Sequence, residues 1–296
     1  MSLLYIAGYD GSPASLSAVG LTVALARAEG AKVVAAHAHA EVPPLYADVG
    51  IDAGIELHQE LRAQGERLLG ELRTEGVAER ELLVGNPARA LHELAERRRA
   101  SLLAVGLTHR EGLDRLVAGS VPANLLHGSP CPVLTVPAGA PAEAPKVIAV
   151  AYDGHAEARR ALEAATRLAA ALGAELLVLA CFESPGAAAS ALGGGLDFEP
   201  DMQAAFVRLV EDAAAGVAGV EVRTLVLAGG AGHEITEASR EGVDLLVAGS
   251  RGYGPLRSVV VGSVARHLVD HAACPVLVIP RSAEAEIDRE PPSADE

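Results

Sequence analysis

The chain has 296 residues, half of them apolar, which is enough for one large core or two ordinary ones. Its formal charge of -15, from 39 acidic and 24 basic residues, opposes attraction to a nucleic-acid backbone or an anionic membrane surface. Aromatic residues total 3% with no tryptophan, so little is available for stacking on bases.

The N-terminus runs from Met-Ser directly into an apolar stretch, Leu3 to Tyr9, with no basic leader. No apolar run reaches the roughly 18 residues of a spanning helix, and a cytoplasmic protein is expected. Asp10-Gly11-Ser12-Pro13 follows, a turn with Ser12 as N-cap and Pro13 at the first helical position of a helix to about Glu29. Lys32 to His37, Glu81 to Val84, Leu102 to Val105 and Val133 to Val136 are short aliphatic runs with little alternation, the pattern of strands covered on both faces. Helical segments separate them, so the sheet they form is parallel.

The pattern then repeats. Tyr9-Asp10-Gly11 returns as Tyr152-Asp153-Gly154, Gly30 as Gly173, Gly106 as Gly249, and Gly119-Ser120-Val121 as Gly262-Ser263-Val264. Cys131-Pro132-Val133-Leu134 returns as Cys274-Pro275-Val276-Leu277. Each pair is separated by 143 positions, as 10 and 153 show, and an unbroken register of this kind marks a duplication. The second copy places strands at Val147 to Tyr152, Leu176 to Ala180, Val222 to Leu227, Leu245 to Ala248 and Val276 to Ile279.

The predicted architecture is therefore α/β: two tandem Rossmann-like domains, each a doubly wound, five-stranded parallel sheet, over residues 1–138 and 145–281. Ala138 to Pro145 reads as a linker, and 282–296, acidic and almost without apolar residues, as a disordered tail. Glu41 to Gly54 and Glu183 to Asp201, rich in Gly, Pro and Ala, are expected to be mobile loops where a ligand enters. The last strand of each copy would leave an aliphatic edge if unpaired.

The second copy carries Gly249-Ser250-Arg251-Gly252, nine residues, then Gly262-Ser263-Val264. In an open parallel sheet ligands bind beyond the carboxyl ends of the strands, where Gly249 leaves the fourth strand and Asp153 the first. Gly262-Ser263 opens the final helix, whose free N–H groups suit phosphate oxygens. Turn glycines alone would also account for the spacing. Arg251 and Arg257 fit either phosphate partners or solvated cations. Arg97 to Arg99 read as a solvated helix end. His37 and His39 share a strand face without a supporting cluster of metal ligands. Cys131, Cys181 and Cys274 form no CxxC pair and are read as buried, reduced thiols.

The Asp-Gly ending strand one, the G-x2-G-x9-G-S run and the closing Cys-Pro-Val-Leu-Val resemble the universal stress protein family, over essentially residues 1–280. The resemblance implies a tandem member of the ATP-binding branch, with ATP as ligand, with or without Mg2+ on its phosphates. It assigns ribose and phosphates to Gly249, Gly252, Gly262, Ser263 and Val264, a contribution to the nucleotide site to Asp153, and the adenine-facing position to Cys181. The first copy keeps Asp10, Ala38, Gly106, Gly119 and Ser120 at the matching positions, but His109 stands where the second has Gly252. A side chain there removes the freedom for positive φ and intrudes where a ligand would lie, so the nucleotide is expected chiefly in the second copy. The resemblance further implies that the copies pair through their final strands as a pseudo-dimer, and by analogy that whole chains pair as a homodimer.

No phosphate-loop lysine motif, nucleophile elbow or HExxH is present, so no catalytic residue is assigned. The expected function is a nucleotide-binding, regulatory or stress-response protein rather than an enzyme. The alternatives are a nucleotide-independent interaction module, and a weak ATPase or nucleotidyl-transfer enzyme.

Overall fold

The computed structural model describes residues 3–41, 51–107, 120–183, 199–250 and 262–280. The first copy comprises β1 (Leu4–Gly8), α1 (Pro13–Glu29), β2 (Lys32–His39), α2 (Ile51–Glu71), β3 (Val77–Val84), α3 (Pro87–Arg98), β4 (Leu102–Leu107), α4 (Ser120–Leu126) and β5 (Val133–Pro137). The second comprises β6 (Val147–Ala151), α5 (Ala156–Leu172), β7 (Glu175–Phe182), α6 (Glu199–Ala215), β8 (Val222–Ala228), α7 (Ala231–Ser239), β9 (Leu245–Gly249), α8 (Ser263–His271) and β10 (Val276–Ile279).

Local chemistry sets several of these boundaries. Ser12 caps α1 by accepting the Ser15 N–H, Pro13 opens the helix, and Gly30 closes it at φ 66°, the left-handed geometry glycine adopts without strain. Gly173 ends α5 in the same way at φ 65°. Asn86 caps α3 with its own side chain.

All ten strands form one sheet in the order β3-β2-β1-β4-β5-β10-β9-β6-β7-β8. Pairing is parallel within each copy. The copies join where β5 and β10 run antiparallel, Thr135 opposite Val276 and Val133 opposite Val278. The final strands thus close each other's edges, as their apolar sequences led one to expect. The linker lies against α1: a Cβ on Gly20 would fall 2.7 Å from Ala142 Cβ, so glycine there lets the connection pass close to the helix.

Helices cover both faces. One core lies under α1 and α5 and continues across the seam through Leu134 and Leu277. The other lies under α3, α4, α7 and α8. Ile6, Leu103, Leu134 and Leu176 are fully buried, each contributing about 1.5–3 kcal/mol by removal from water.

Two expectations require correction. The third strand begins at Val77 rather than Glu81, because β3 is an outer strand whose Ala78, Glu79 and Arg80 face solvent and give no apolar signal. The Arg97 to Arg99 end is not merely solvated: Arg97 pairs with Glu81, and Arg98 with both Glu79 and Glu81, tying α3 to β3. Among the described residues no helix is long and apolar enough to cross a membrane.

Candidate functional site

At the carboxyl ends of β6, β7 and β9 lies a cavity of about 320 Å³. Asp153, Cys181, Gly249, Gly262, Ser263 and Val264, each nominated from sequence, all line it. Arg251, Gly252 and Arg257 lie outside the described residues, as do His109 and Gly119.

The sheet places Gly249 at the end of β9, beside β6 on one side and β10 on the other. A Cβ there would fall 2.6 Å from the Glu157 carbonyl oxygen, so glycine is required by the first turn of α5 as well as by the cavity it borders. Gly106 stands in the same relation to Ala14 and Ser15 of α1, at 2.5 Å.

Gly262 is the N-cap of α8 and makes no side-chain cap, so the first-turn N–H groups donate to no capping side chain. His155 likewise begins α5 without a side-chain cap; instead its N–H donates to Asp153 Oδ1 at 3.0 Å, and its Nδ1 lies 3.2 Å from the same oxygen.

The lining also includes groups that sequence spacing did not nominate: Tyr152, His155, Glu157, Glu183, Ala231 and Ile235. Glu183 accepts the Ala231 N–H at 3.1 Å and so caps α7 from the end of β7. Its sequence signals were its place two residues beyond Cys181 and at the start of the segment expected to admit a ligand.

Cys181 was read as a buried core thiol. It is half-exposed at the cavity wall, with its thiol donating to the Gly229 carbonyl at 2.9 Å. Burial raises its pKa above the usual thiol value, and the carboxylates of Glu234 and Glu183 add to the effect. Cys131 and Cys274 are buried as expected, and burial pushes each up to about 11.

The first copy has the corresponding cavity, about 180 Å³, lined by Asp10, Ala38 and Gly106 together with His37, Leu91, Val121 and Pro122. Ser120 opens α4. Leu91, Pro122 and His37 of this lining stand where the second copy has Glu234, Ala265 and Ala180. Asp10 is partly buried, which alone would raise its pKa, but hydrogen bonds from Ser12 and Ser15 outweigh burial and hold it below the usual carboxylate range. No group of three or more metal-ligating side chains occurs among the described residues, His37 and His39 included.

The architecture defines a class: a tandem pair of doubly wound α/β units with clefts at the strand ends. The sequence profile of the universal stress protein family matches residues 6–137 and again 145–280. The universal stress protein YxiE of Bacillus subtilis strain 168 is 31% identical over 141 residues, 44% of this chain and 95% of that protein. A universal stress protein of Thermus aquaticus is 36% identical over 142 residues, 45% of this chain and 98% of the relative. The crystal structure of a universal stress protein from Archaeoglobus fulgidus shares the fold across both copies, with a TM-score of 0.68, 21% identity, and coverage of 94% of this chain and 98% of that one. The chain belongs to the universal stress protein family.

Proposed function

We propose that this protein is a regulatory adenine-nucleotide binder, with ATP held chiefly by the second copy. The observation that carries the reading is the convergence of six residues nominated from sequence, Asp153, Cys181, Gly249, Gly262, Ser263 and Val264, on one cavity. Its 320 Å³ reaches the lower end of the range for small-molecule sites, about 300–1,000 Å³, whereas the first copy's 180 Å³ falls below it. The α8 N-terminus supplies donors for phosphate.

Asp153, Glu157 and Glu183 make the described lining acidic, which fits a nucleotide whose phosphates carry Mg2+ and fits free ATP poorly. Asp153 is the residue placed to meet that ion; the ion would neutralise phosphate charge. ATP acts here as a ligand that changes shape or association, not as a substrate.

Nucleotide extracted from freshly purified protein and separated by chromatography tests the reading directly. Calorimetry with Mg2+ and ATP at pH 8 should give one tight equivalent per chain, in the micromolar range. Gly252→His, which installs the first copy's residue, should remove most of that binding. His109→Gly should raise the stoichiometry toward two. Unchanged affinity in Gly252→His, or two equal sites in the unmodified chain, would overturn the assignment.

A further inference from the structure

The two copies fasten the helix after strand two by different chemistry. In the second copy β7 ends in Phe182, whose ring packs against Phe206 of α6 at 5.9 Å between centroids. The same strand position in the first copy is His39, and its ring meets His58 of α2 edge-on, at 5.5 Å and 66°. His39 is only 5% exposed. Its Nδ1 lies 3.0 Å from the Ala40 carbonyl, while Nε2 is buried with no hydrogen-bond partner among the described residues.

A carbonyl beside Nδ1 requires the hydrogen on that nitrogen, which leaves Nε2 of the neutral ring as a bare acceptor. A proton added to Nε2 makes a buried cationic donor without an acceptor among the described residues, its ring centre 5.5 Å from that of His58. Surrounding groups do not compensate among the described residues. On β2 the Nδ1 of His37, which shares this face, is engaged by the Tyr9 carbonyl. Beyond β1, Asp10 is held by Ser12. On α2, Glu56 and Glu60 are exposed, and Arg62 is paired with Glu66. On β3, Arg80 donates to the Leu72 carbonyl, and Glu79 and Glu81 pair with α3 across the sheet. Glu41, the next charge along the chain, is exposed.

We propose that α2 is an acid-released helix: protonation of the His39–His58 contact undocks it from β2, while the Phe182–Phe206 contact keeps α6 seated. The release bears on the first cavity. A Cβ on Gly65 of α2 would fall 3.0 Å from His37 Cδ2, and one on Gly11, beside Asp10, 2.7 Å from Leu68 Cδ1. His37 and Asp10 both line that cavity, so α2 buttresses its wall. The inference is independent of what ligand either copy takes.

Amide hydrogen exchange on the full-length chain without nucleotide, corrected for intrinsic rates, tests it between pH 7.5 and 5.5. Protection across residues 56–71 should fall with acid by up to about tenfold per pH unit, the slope for one proton taken up on opening. Residues 199–215 should keep theirs. The double variant His39→Phe with His58→Phe, which replaces both imidazoles with rings that take up no proton, should abolish the acid response. Should that variant fail to fold, the single variant His58→Phe should weaken the response. Protection of α2 unchanged over the pH range, a response that survives these substitutions, or a His39 imidazole that titrates by NMR while α2 amides stay protected would overturn the proposal.

Discussion

Leu134 and Leu277 stand opposite each other across the β5–β10 seam, and each is the other's counterpart under the 143-residue repeat. A residue paired with its own counterpart lies on a two-fold axis, so the axis relating the copies passes between these leucines. Both are buried, at 0% and 5% exposure. Leu134→Ala and Leu277→Ala should each cost about 2–5 kcal/mol through lost burial and the cavity left behind. Because one core crosses the seam, either variant should lower one shared transition in differential scanning calorimetry. Two separated transitions with only one displaced would contradict that coupling.

The contact of Gly249 with Glu157 predicts a second effect. Gly249→Ala forces a methyl against a backbone carbonyl that belongs to a helix and cannot turn aside, and should destabilise by about 1–3 kcal/mol. Gly106→Ala should do the same against Ala14 and Ser15. Thermal denaturation without nucleotide checks both. Loss of binding with undiminished stability would mean that ligand approach alone requires the glycine.

Thiol labelling at pH 7.5 should distinguish the three cysteines. Cys131 and Cys274, buried and with thiols pushed up to about 11, should react only on unfolding. Cys181 should react slowly in the native protein, its exposure working against its raised pKa. ATP should slow it further if the nucleotide occupies the neighbouring cavity. Rapid labelling of all three in the native state would be incompatible with this placement.

The second copy should also carry a pH-dependent contribution to stability from His267. Its ring stacks on His271 at 4.1 Å, and burial, then His271 and His233, hold its pKa below the ordinary histidine value against the opposing pull of Asp270. The folded state therefore binds fewer protons than the unfolded state. The stabilisation is complete above the unfolded value of about 6.5 and is lost as pH falls through the folded one. His267→Asn, the first copy's residue at that position, should reduce the loss of stability between pH 7.5 and 5.5 in denaturant titrations. An equal loss in the variant would assign the dependence elsewhere.

Much of this organisation is legible in the sequence because duplication writes each signal twice. Pro13 and Ala156 open equivalent helices, and Val133 and Val276 open equivalent strands, in the register set by Asp10 and Asp153. One outer strand, β3, was read less well, since Ala78 to Arg80 are wetted and show no apolar run. The site was legible where glycines and Asp153 mark strand ends. It was less legible where a side chain enters from another element: Glu183 begins a segment expected to admit a ligand, but its reach to the cavity depends on β7 lying beside β6. Nor does a glycine in sequence reveal whether it makes room for a ligand or for the neighbouring helix.

The antiparallel join of β5 to β10 lies within one chain, so its formation does not depend on encounter between molecules and survives any dilution. It also frees the halves from identity. In an assembly of two identical chains every substitution appears on both sides of the axis, and the clefts change together. Here Pro122 lines one cleft and Ala265 the other, a divergence that only a covalently fused pair can accumulate under a single reading frame. Fusion turns a symmetric architecture into one whose two clefts are free to differ.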